Sequence, residues 1–261
     1  PDCGNLDIAP IGRGTEQIEE QLAGLLSQAV RPDGTPARVA RMDADTTRTK
    51  GSLEQQLQAL HEGEVDVLVG TQMLSKGHHF PNVTLAVIAD GDLGLNLPDY
   101  RAAERTFQLL VQSSGRAGRG DKAGQVLIQT RDVNHYCWQY VREADYEGFY
   151  AAELARRKLR KYPPFVRLAL IRISHAVEDS GGAAALSDLA AAMRGRAAEL
   201  GLQLLGPAPA PLALLRGRRR YSCLVKGQDW QAIRALYFFA STQKSTKNLR
   251  LFLDLDPVNM L

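Results

Sequence analysis

VDVLVGTQMLSKGHHFPNVTLAVIA, residues 65–89, is the stretch that decides the fold prediction. It opens with the apolar run 65–69 and closes with the apolar run 84–89. Short continuous apolar runs are typical of strands that are buried on both faces of a parallel sheet. The stretch therefore predicts two such strands, joined by a long loop that starts at the carboxyl end of the first.

The sequence on either side extends this pattern of strands and helices. The further elements predicted are strands over 6–11, 37–42 and 126–129, and helices from Thr15, over 52–61 and over 100–113. Alternating strands and helices favour an α/β domain with a doubly wound parallel sheet. Ligands bind at the carboxyl ends of the strands in sheets of this kind.

A second domain is predicted after the break Tyr162-Pro163-Pro164-Phe165, where the charge also changes. Residues 1–162 carry 19 Lys and Arg against 22 Asp and Glu, a net charge of −3, whereas residues 163–261 carry 13 against 7, a net charge of +6. We therefore predict one domain over 1–162, ending in a helical linker over about 145–162, and a basic domain over 163–261.

The elements predicted in the basic domain form the order β-α-β, β-α-β. They are strands over 166–174, 202–205, 221–226 and 249–255, an alanine-rich helix after the first strand, and a helix over 230–240. This order is typical of a small α+β domain with a ferredoxin-like split β-α-β arrangement, in which two helices cover one face of an antiparallel sheet.

Composition excludes several classes of protein. With 44% hydrophobic and 23% charged residues, the chain is neither a disordered tail nor a fibrous repeat. The longest charge-free stretch, 200–215, contains three prolines and is shorter than the roughly 20 residues that a membrane span needs. Three widely spaced cysteines, Cys3, Cys137 and Cys223, form no disulfide framework, which favours the cytoplasm.

Nucleotide-binding motifs are missing from these 261 residues. No Gly-x-x-x-x-Gly-Lys-Ser/Thr sequence occurs to hold an ATP triphosphate, and Gln17 stands where the dinucleotide fingerprint begun by Gly12 and Gly14 requires glycine. Asp90 and Asp92 flank a glycine just past a predicted strand, which favours a solvated turn over a pair of metal ligands.

Cys3 is the main candidate metal ligand. In the setting Pro-Asp-Cys-Gly it would be the second half of a Cys-x-x-Cys zinc hairpin if another cysteine preceded residue 1; a lone surface cysteine is the alternative interpretation. His78 and His79 are adjacent, so their side chains point in different directions, and no carboxylate or cysteine partner is close in sequence. The sequence predicts no complete metal site in this chain.

Residues 112–119, QSSGRAGR, give the strongest chemical signal. Arg116 and Arg119 follow the predicted helix over 100–113, three positions apart and separated by small residues that let a partner surface approach closely. Such a pair can donate to a phosphate from outside, as an arginine finger does during phosphoryl transfer. For this segment alone, a solvated basic helix end that complements its own dipole is the stronger interpretation.

A second basic segment lies in the C-terminal domain. Arg216, Arg218, Arg219 and Arg220 precede Tyr221 and lead into a predicted strand. Positive charges beside an aromatic ring can bind a nucleic-acid backbone and stack a base, or can capture the carboxylate end of an acidic peptide. A solvated loop is equally compatible with the run itself.

Several segments together carry a family resemblance. The sequences 70–83 and 112–119 resemble motifs V and VI of the second RecA-like lobe of superfamily 2 helicases. The segments that extend the similarity are Gly12-x-Gly14-Thr15-Glu16-Gln17, Asp43-x-Asp45-Thr46-Thr47, PDYRAAER at 98–105 and Pro163-Pro164-Phe165. With them, nearly the whole chain is similar to the family of primosomal replication restart helicases.

The resemblance implies a RecA-like helicase lobe followed by the family's C-terminal domain. It implies the C-terminal half of an ATP-dependent 3′-to-5′ DNA helicase that acts in replication restart and primosome assembly at stalled or branched forks. ATP with Mg²⁺ would be held by a first lobe that these 261 residues lack. Residues 1–4 would end a zinc-binding insertion in which Cys3 is the last Zn²⁺ ligand.

The resemblance also assigns roles to individual residues. The catalytic residues would be Gln112, Arg116 and Arg119, the nucleotide-binding residues Thr71, Lys76 and Gly77, and the DNA-binding residues Thr71, Gln72, His78, His79, Arg218, Arg219, Arg220 and Tyr221. The implied partners are single-stranded and forked DNA, the C-terminal tail of single-stranded DNA-binding protein (SSB), and other primosome proteins. No membrane partner is implied.

Two positions depart from the family pattern. Ser113-Ser114 replaces the usual Val-Ala or Val-Ser, which is a small change. Ser222 stands where many members have a glutamine that contributes to the SSB-tail pocket, and this substitution puts that pocket in doubt. The competing hypothesis is a non-enzymatic module that binds nucleic acid or a partner and keeps a helicase-like fold.

Overall fold

The fold is described from a computed structural model, which defines residues 14–43, 52–71, 83–115, 124–243 and 248–260. These residues group into two compact units: one comprises 1–96 and 103–144, the other 97–102 and 145–261. The predicted boundary at 162–163 stays a prediction, and the helix before it lies in the second unit. Among the described residues, no helix is long and apolar enough to cross a membrane.

The first unit alternates short strands with helices, as the sequence predicts. Its elements are α1 (Thr15–Leu25), β1 (Val39–Met42), α2 (Ser52–His61), β2 (Val67–Gly70), β3 (Leu85–Ile88), α3 (Asp92–Leu95), β4 (Gln125–Ile128) and α5 (Cys137–Glu143), with most of α4 (Ala102–Ser114). β1 pairs with β2 and β3 pairs with β4, both in parallel. The predicted α/β class is confirmed by these parallel pairs.

The sequence predicts that β3 is buried on both faces, and this prediction is wrong. Leu85 and Val87 are 51% and 61% exposed. In the described part of the chain β3 pairs with one strand, β4. Leu127 of β4 is also exposed, at 55%. A two-stranded pair covers less apolar surface than the continuous sheet that the sequence predicts.

The second unit is an antiparallel four-stranded sheet with two helices on one face. After α6 (Tyr146–Arg160) it contains β5 (Arg167–Ala176), α7 (Gly182–Glu199), β6 (Gln203–Leu215), β7 (Arg218–Gly227), α8 (Trp230–Thr242) and β8 (Arg250–Leu255). The strand order is β6-β7-β5-β8. This order confirms the predicted split β-α-β arrangement.

Apolar burial against α7 and α8 stabilises this unit. The odd-numbered residues Ile171 and Ile173 of β5 and Val225 of β7 pack with Met193 of α7 and Leu236 of α8, and all five are 1% exposed or less. α8 begins where Asp229 accepts a hydrogen bond from the backbone N–H of Ala232 at 2.8 Å, an N-cap that satisfies one free donor of the first turn.

β6 and β7 form a hairpin that is longer than the sequence predicts. Their connection is the two-residue turn Arg216-Gly217, and both residues have positive φ, 48° and 69°. Positive φ at both positions gives a turn whose twist matches that of paired strands. The three prolines of β6 argue against a central strand, but β6 lies at an edge of the sheet, where prolines are tolerated.

Gly206 gives this hairpin a local irregularity. Its φ is +103°, and a Cβ there would lie 2.7 Å from the carbonyl oxygen of Ser222. The β6–β7 register shifts between Leu205 and Ala208, directly around this glycine. Only glycine fits a position that combines this backbone angle with such close approach.

Cys223 leads to a prediction about alkaline pH. Its side chain is 0% exposed, and burial raises the pKa of the thiol from 9.0 to about 11. The folded state therefore keeps a proton that the unfolded state loses first, so the contribution to stability is full below about pH 9 and is lost as pH rises towards 11. We expect the free energy of unfolding to fall by about 3 kcal/mol over that interval for this reason.

Urea unfolding of the parent and of Cys223→Ala across this pH range measures the effect. Ionisation of lysine and tyrosine side chains is common to both proteins, so the difference between their stabilities isolates the thiol. The advantage of the parent should shrink above about pH 9; parallel stability curves would contradict the prediction.

Candidate functional site

Thr71 marks the predicted ligand-binding edge of the first unit. β2 ends at Gly70, which pairs with Met42 at the end of β1, and Thr71 follows directly and is exposed. The carboxyl ends of two parallel strands therefore meet where the 70–83 segment begins. The other residues assigned to this segment, Gln72, Lys76, Gly77, His78 and His79, lie outside the described residues.

Helix α4 leads to the arginine segment. Phe107 and Leu110 are 1% and 2% exposed and fix the helix in its unit, while Gln112 is exposed near its end. The hydroxyls of Ser113 and Ser114 donate to backbone carbonyls of their own helix, at 2.8 and 3.0 Å. Arg116 and Arg119 come immediately afterwards and, like Cys3, lie outside the described residues.

Asp92 is buried, which contradicts the prediction of a solvated turn. It is 6% exposed and accepts hydrogen bonds from Thr130 Oγ1 at 2.7 Å and from the backbone N–H of Arg131 at 2.6 Å. Burial acts to raise the pKa of its carboxyl, but these two hydrogen bonds and the nearby charges of Arg131 and His135 together lower the pKa. Asp92 therefore joins the ends of β3 and β4, a structural role that replaces the solvated turn.

A cleft of about 220 Å³ lies on the sheet of the second unit. Side chains alternate between the two faces of a strand, and the odd-numbered residues of β5, β7 and β8 pack towards α7 and α8. Even-numbered residues of these strands therefore occupy the opposite face. The polar and aromatic residues that line the cleft are Arg172, Ser174, Arg220, Tyr221, Ser222, Arg250 and Phe252.

Two arginines of this face have structural partners. Arg172 Nη2 lies 3.3 Å from Asp254 Oδ2 and donates to the carbonyl oxygen of Asn259 at 3.3 Å. Arg218 donates through Nε to Ser174 Oγ at 3.1 Å and through Nη2 to the carbonyl of Ser174 at 2.7 Å. These bonds hold both guanidinium groups against the sheet.

Arg220 and Arg250 carry charge that no carboxylate of the described residues neutralises. Both pair with Ser174, which lies between them in the β7–β5–β8 register, so they flank it on the same face. The one hydrogen bond of Arg220 is long, 3.5 Å from Nη1 to the carbonyl of Leu212. Phe252 is adjacent and 61% exposed. The cleft therefore combines free positive charge with an apolar ring.

The predicted run 218–221 does not form one patch. The side chains of Arg218 and Arg220 lie on the cleft face, whereas those of Arg219 and Tyr221 belong to the opposite face of the same strand, so Tyr221 only borders the cleft. Tyr221 packs against the apolar core and stacks on His175, with ring centroids 5.9 Å apart. One face of its ring is therefore already covered.

Three residues of the cleft were not predicted from the sequence: Arg172, Arg250 and Phe252. Arg172 and Ser174 alternate with isoleucines in a predicted strand, which was a usable signal that two polar side chains share a face. Arg250 and Phe252 belong to a strand almost 80 residues later, and the sequence alone does not show which strand β8 pairs with.

The charge and shape of the cleft favour an anionic ligand that also has an apolar group. Paired guanidinium groups donate to carboxylate or phosphate oxygens in a fixed geometry, and an exposed phenylalanine ring contacts an apolar side chain or a base. The lining contains three arginines and no carboxylate. An acidic peptide that ends in a carboxylate meets these requirements, and so does a nucleic-acid strand.

Two family models match the chain. Residues 14–121 match the helicase conserved C-terminal domain, and residues 158–258 match the primosomal protein N C-terminal domain. Together the two matches include the Thr71 edge, the arginine segment and the cleft.

Curated relatives match the chain over nearly its full length. The replication restart protein PriA of Bacillus subtilis (strain 168) is 39% identical over 265 residues, covering 100% of this chain and 32% of the relative. The proteins of the same name from Haemophilus influenzae and Treponema pallidum are 38% and 37% identical and are covered over 34% and 38% of their lengths. The chain spans about a third of the length of these curated relatives.

Proposed function

Because the chain belongs to the family of replication restart protein PriA, we propose that it forms the C-terminal half of an ATP-dependent 3′-to-5′ DNA helicase. In this proposal the helicase acts at stalled or branched forks during replication restart and primosome assembly. The observation that carries it is the position of Thr71, the second residue of the helicase-like 70–83 segment, directly after the carboxyl ends of two parallel strands.

ATP hydrolysis is assigned to the first unit together with a partner lobe. Arg116 and Arg119 would donate to the oxygens of the transferring phosphoryl group, and Gln112 of α4 is the third residue assigned to catalysis. Thr71, Lys76 and Gly77 would contact the same nucleotide. As the family resemblance implies, Mg²⁺ and the phosphate cradle are assigned to the partner lobe.

Zinc is assigned to the N-terminal end of the sequence. A structural zinc site needs four ligands, and Cys3 can supply one thiolate. The described residues offer no cluster to complete the set. In this proposal Cys3 is the last Zn²⁺ ligand of the family's zinc-binding insertion, which ends at 1–4.

DNA binding is assigned to both units. The residues that would contact single-stranded DNA during unwinding are Thr71, Gln72, His78 and His79. Because Thr71 is also assigned to the nucleotide, the same segment would couple the ATP state to the DNA strand. Arg218, Arg219, Arg220 and Tyr221 would contact forked DNA from the second unit. Their distribution over two faces of β7 means that one flat DNA surface cannot contact them all together.

The cleft supports a second partner, the C-terminal tail of SSB. Arg220 and Arg250 would take the terminal carboxylate, and Phe252 would contact an apolar side chain of the tail. Ser222 is at the cleft but supplies a hydroxyl where many members have a glutamine. Other primosome proteins and a cytoplasmic location complete the proposal.

A non-enzymatic binding module is the second candidate function. The observation that favours it is that the whole cleft is built from β5, β6, β7 and β8, all within the second unit. Binding at this cleft needs no nucleotide. This candidate predicts partner binding by the chain without any role in a helicase.

Arg220→Ala tests the cleft against its matched control, Arg219→Ala. We expect Arg220→Ala to weaken binding of a synthetic SSB-tail peptide by about 10- to 100-fold, because a charge-assisted hydrogen bond to the terminal carboxylate is lost. Arg219 lies on the opposite face of the same strand, so Arg219→Ala should bind the peptide like the parent. Fluorescence anisotropy with the 261-residue chain measures both.

The amidated peptide completes this test. It lacks the terminal carboxylate and should bind parent and Arg220→Ala equally weakly. Equal binding of the free-acid peptide by parent and Arg220→Ala would remove the cleft from tail recognition.

DNA binding makes a separate prediction for the same strand. If Arg218, Arg219 and Arg220 each contact a phosphate, replacing all three with alanine should flatten the log–log salt dependence of single-stranded DNA binding by about two units. Titrations of an oligo-dT probe at several salt concentrations measure this slope. A slope equal to that of the parent, together with lost peptide binding, would assign the strand to the peptide instead.

A further inference from the structure

We propose that Arg172 is a third ligand-binding arginine of the cleft, and that the return segment, residues 256–260, occupies its guanidinium group until a carboxylate binds. This inference rests on the proposed function of the cleft as a site for an acidic peptide with a free carboxylate. It concerns the second unit alone, because the sheet and the return segment both belong to that unit.

The register of the sheet places Arg172 next to the two arginines that flank Ser174. Arg220 of β7 and Arg250 of β8 both pair with Ser174 of β5. Arg172 lies two positions before Ser174 on the same face of β5, so it is a diagonal neighbour of both arginines. Diagonal neighbours are roughly 7–8 Å apart, which long side chains can span. A carboxylate over Ser174 is therefore within reach of all three guanidinium groups.

The present hydrogen bonds of Arg172 are long and incomplete. Its Nη2 lies 3.3 Å from Asp254 Oδ2 and 3.3 Å from the carbonyl oxygen of Asn259, whereas charge-assisted bonds from a guanidinium group are usually about 2.7–2.9 Å long. Its Nε is buried and has no hydrogen-bond partner among the described residues. A buried donor without a partner is destabilising. A ligand oxygen that accepts from Nε–H would therefore satisfy a group that the fold leaves unpaired.

The return segment brings the carbonyl of Asn259 back to Arg172 after the end of β8. The chain turns at Asp256, whose φ is +49° and whose backbone N–H donates to the carbonyl of Leu168 at 2.9 Å. Pro257 is fully buried, whereas Val258 is 78% exposed. The base of the segment is thus fixed on the sheet, and residues 258–260 can leave Arg172 while this base stays in place.

Ligand and return segment compete for the same guanidinium group. Asn259 offers Arg172 one neutral carbonyl oxygen. A ligand carboxylate is charged and can accept two parallel hydrogen bonds from one guanidinium, so it is the stronger acceptor. Asp254 pairs with Leu170, on the side of Arg172 away from Ser174, and balances the charge of Arg172 while no ligand is bound. The segment therefore lowers the apparent affinity of the cleft.

Deletion of residues 258–261 from the 261-residue chain tests the segment. We expect the deletion to tighten binding of the free-acid SSB-tail peptide by about three- to tenfold, because the Asn259 carbonyl no longer competes. Deletion of 260–261 keeps Asn259 and is the matched control, with parental affinity expected. In an Arg172→Ala background the longer deletion should bring no gain. Parental affinity after the longer deletion would overturn the proposal, as would an equal gain in the Arg172→Ala background.

NMR of the arginine Nε–H groups tests Arg172 in the parent chain, without any deletion. The free-acid peptide should shift the Arg172 resonance, assigned by its loss in Arg172→Lys, because the buried N–H gains an acceptor. The amidated peptide lacks the terminal carboxylate and should leave this resonance in place. An unchanged resonance at saturating free-acid peptide would overturn the proposal.

Inorganic phosphate separates this proposal from the proposed partner. If the parent binds no peptide, the proposed recognition of the SSB tail fails, and phosphate then replaces the peptide as the anionic probe. The chain without residues 258–261 should shift its Arg172 Nε–H resonance at a lower phosphate concentration than the parent. Equal phosphate concentrations for the two chains, or no shift in either, would overturn the role of Arg172 and the return segment.

Discussion

Arg119→Ala is expected to slow ATP hydrolysis by about 10³- to 10⁵-fold in a protein that carries both helicase lobes, the range associated with loss of an arginine finger. The guanidinium group would stabilise negative charge that develops on the transferring phosphoryl oxygens, and alanine removes this stabilisation entirely. DNA binding should change little, because the other proposed DNA contacts remain. Phosphate release with and without forked DNA, together with a DNA titration, measures both properties.

Arg142→Ala is the matched control for that substitution. Arg142 lies on α5 of the same unit, is 78% exposed, and pairs with Glu143 at 3.3 Å. An exposed pair of this kind contributes little to stability, so the control should hydrolyse ATP at the parental rate. If Arg119→Ala also kept near-normal turnover, Arg119 would have no place in the hydrolytic site.

The 261-residue polypeptide by itself is expected to release no phosphate from ATP above background, with or without DNA. The arginine segment can stabilise a transferring phosphoryl group only when another element holds the nucleotide, and these residues contain no Gly-x-x-x-x-Gly-Lys-Ser/Thr sequence. A coupled phosphate-release assay with a two-lobe helicase as positive control measures the rate. DNA-stimulated hydrolysis by the purified polypeptide would contradict the assignment of the phosphate cradle to another lobe.

Local patterns were sufficient to predict most of the elements. Residues 52–61 form the predicted helix with the same bounds because their leucines recur at helical spacing. The second unit has the predicted strand and helix order, since each of its strands is marked by a run of apolar or alternating residues. The apolar run 65–69 predicted a strand that ends just before Thr71, where the structure also places this residue.

Contacts between distant segments could not be predicted from these patterns. The cleft combines Arg220 with Arg250, and their proximity depends on the pairing of β7 and β8 with β5. Tyr100 meets Tyr162 from more than 60 positions away, so helical spacing around residue 100 gives no sign of the contact. The predicted strand over 202–205 extends through three prolines to Leu215, because the local preference of proline yields to the position of the strand at a sheet edge.

The proline-bearing edge of the second unit also affects how copies of this protein meet one another. Unpaired strand edges can template the addition of a strand from another molecule, which begins aggregation. Pro207, Pro209 and Pro211 interrupt the row of N–H donors along β6, while Leu212 and Leu214 beside them are 56% and 60% exposed. An incoming strand cannot form a continuous ladder along this edge. The prolines therefore protect the molecule from edge-to-edge association at the place where its exposed leucines would otherwise promote it.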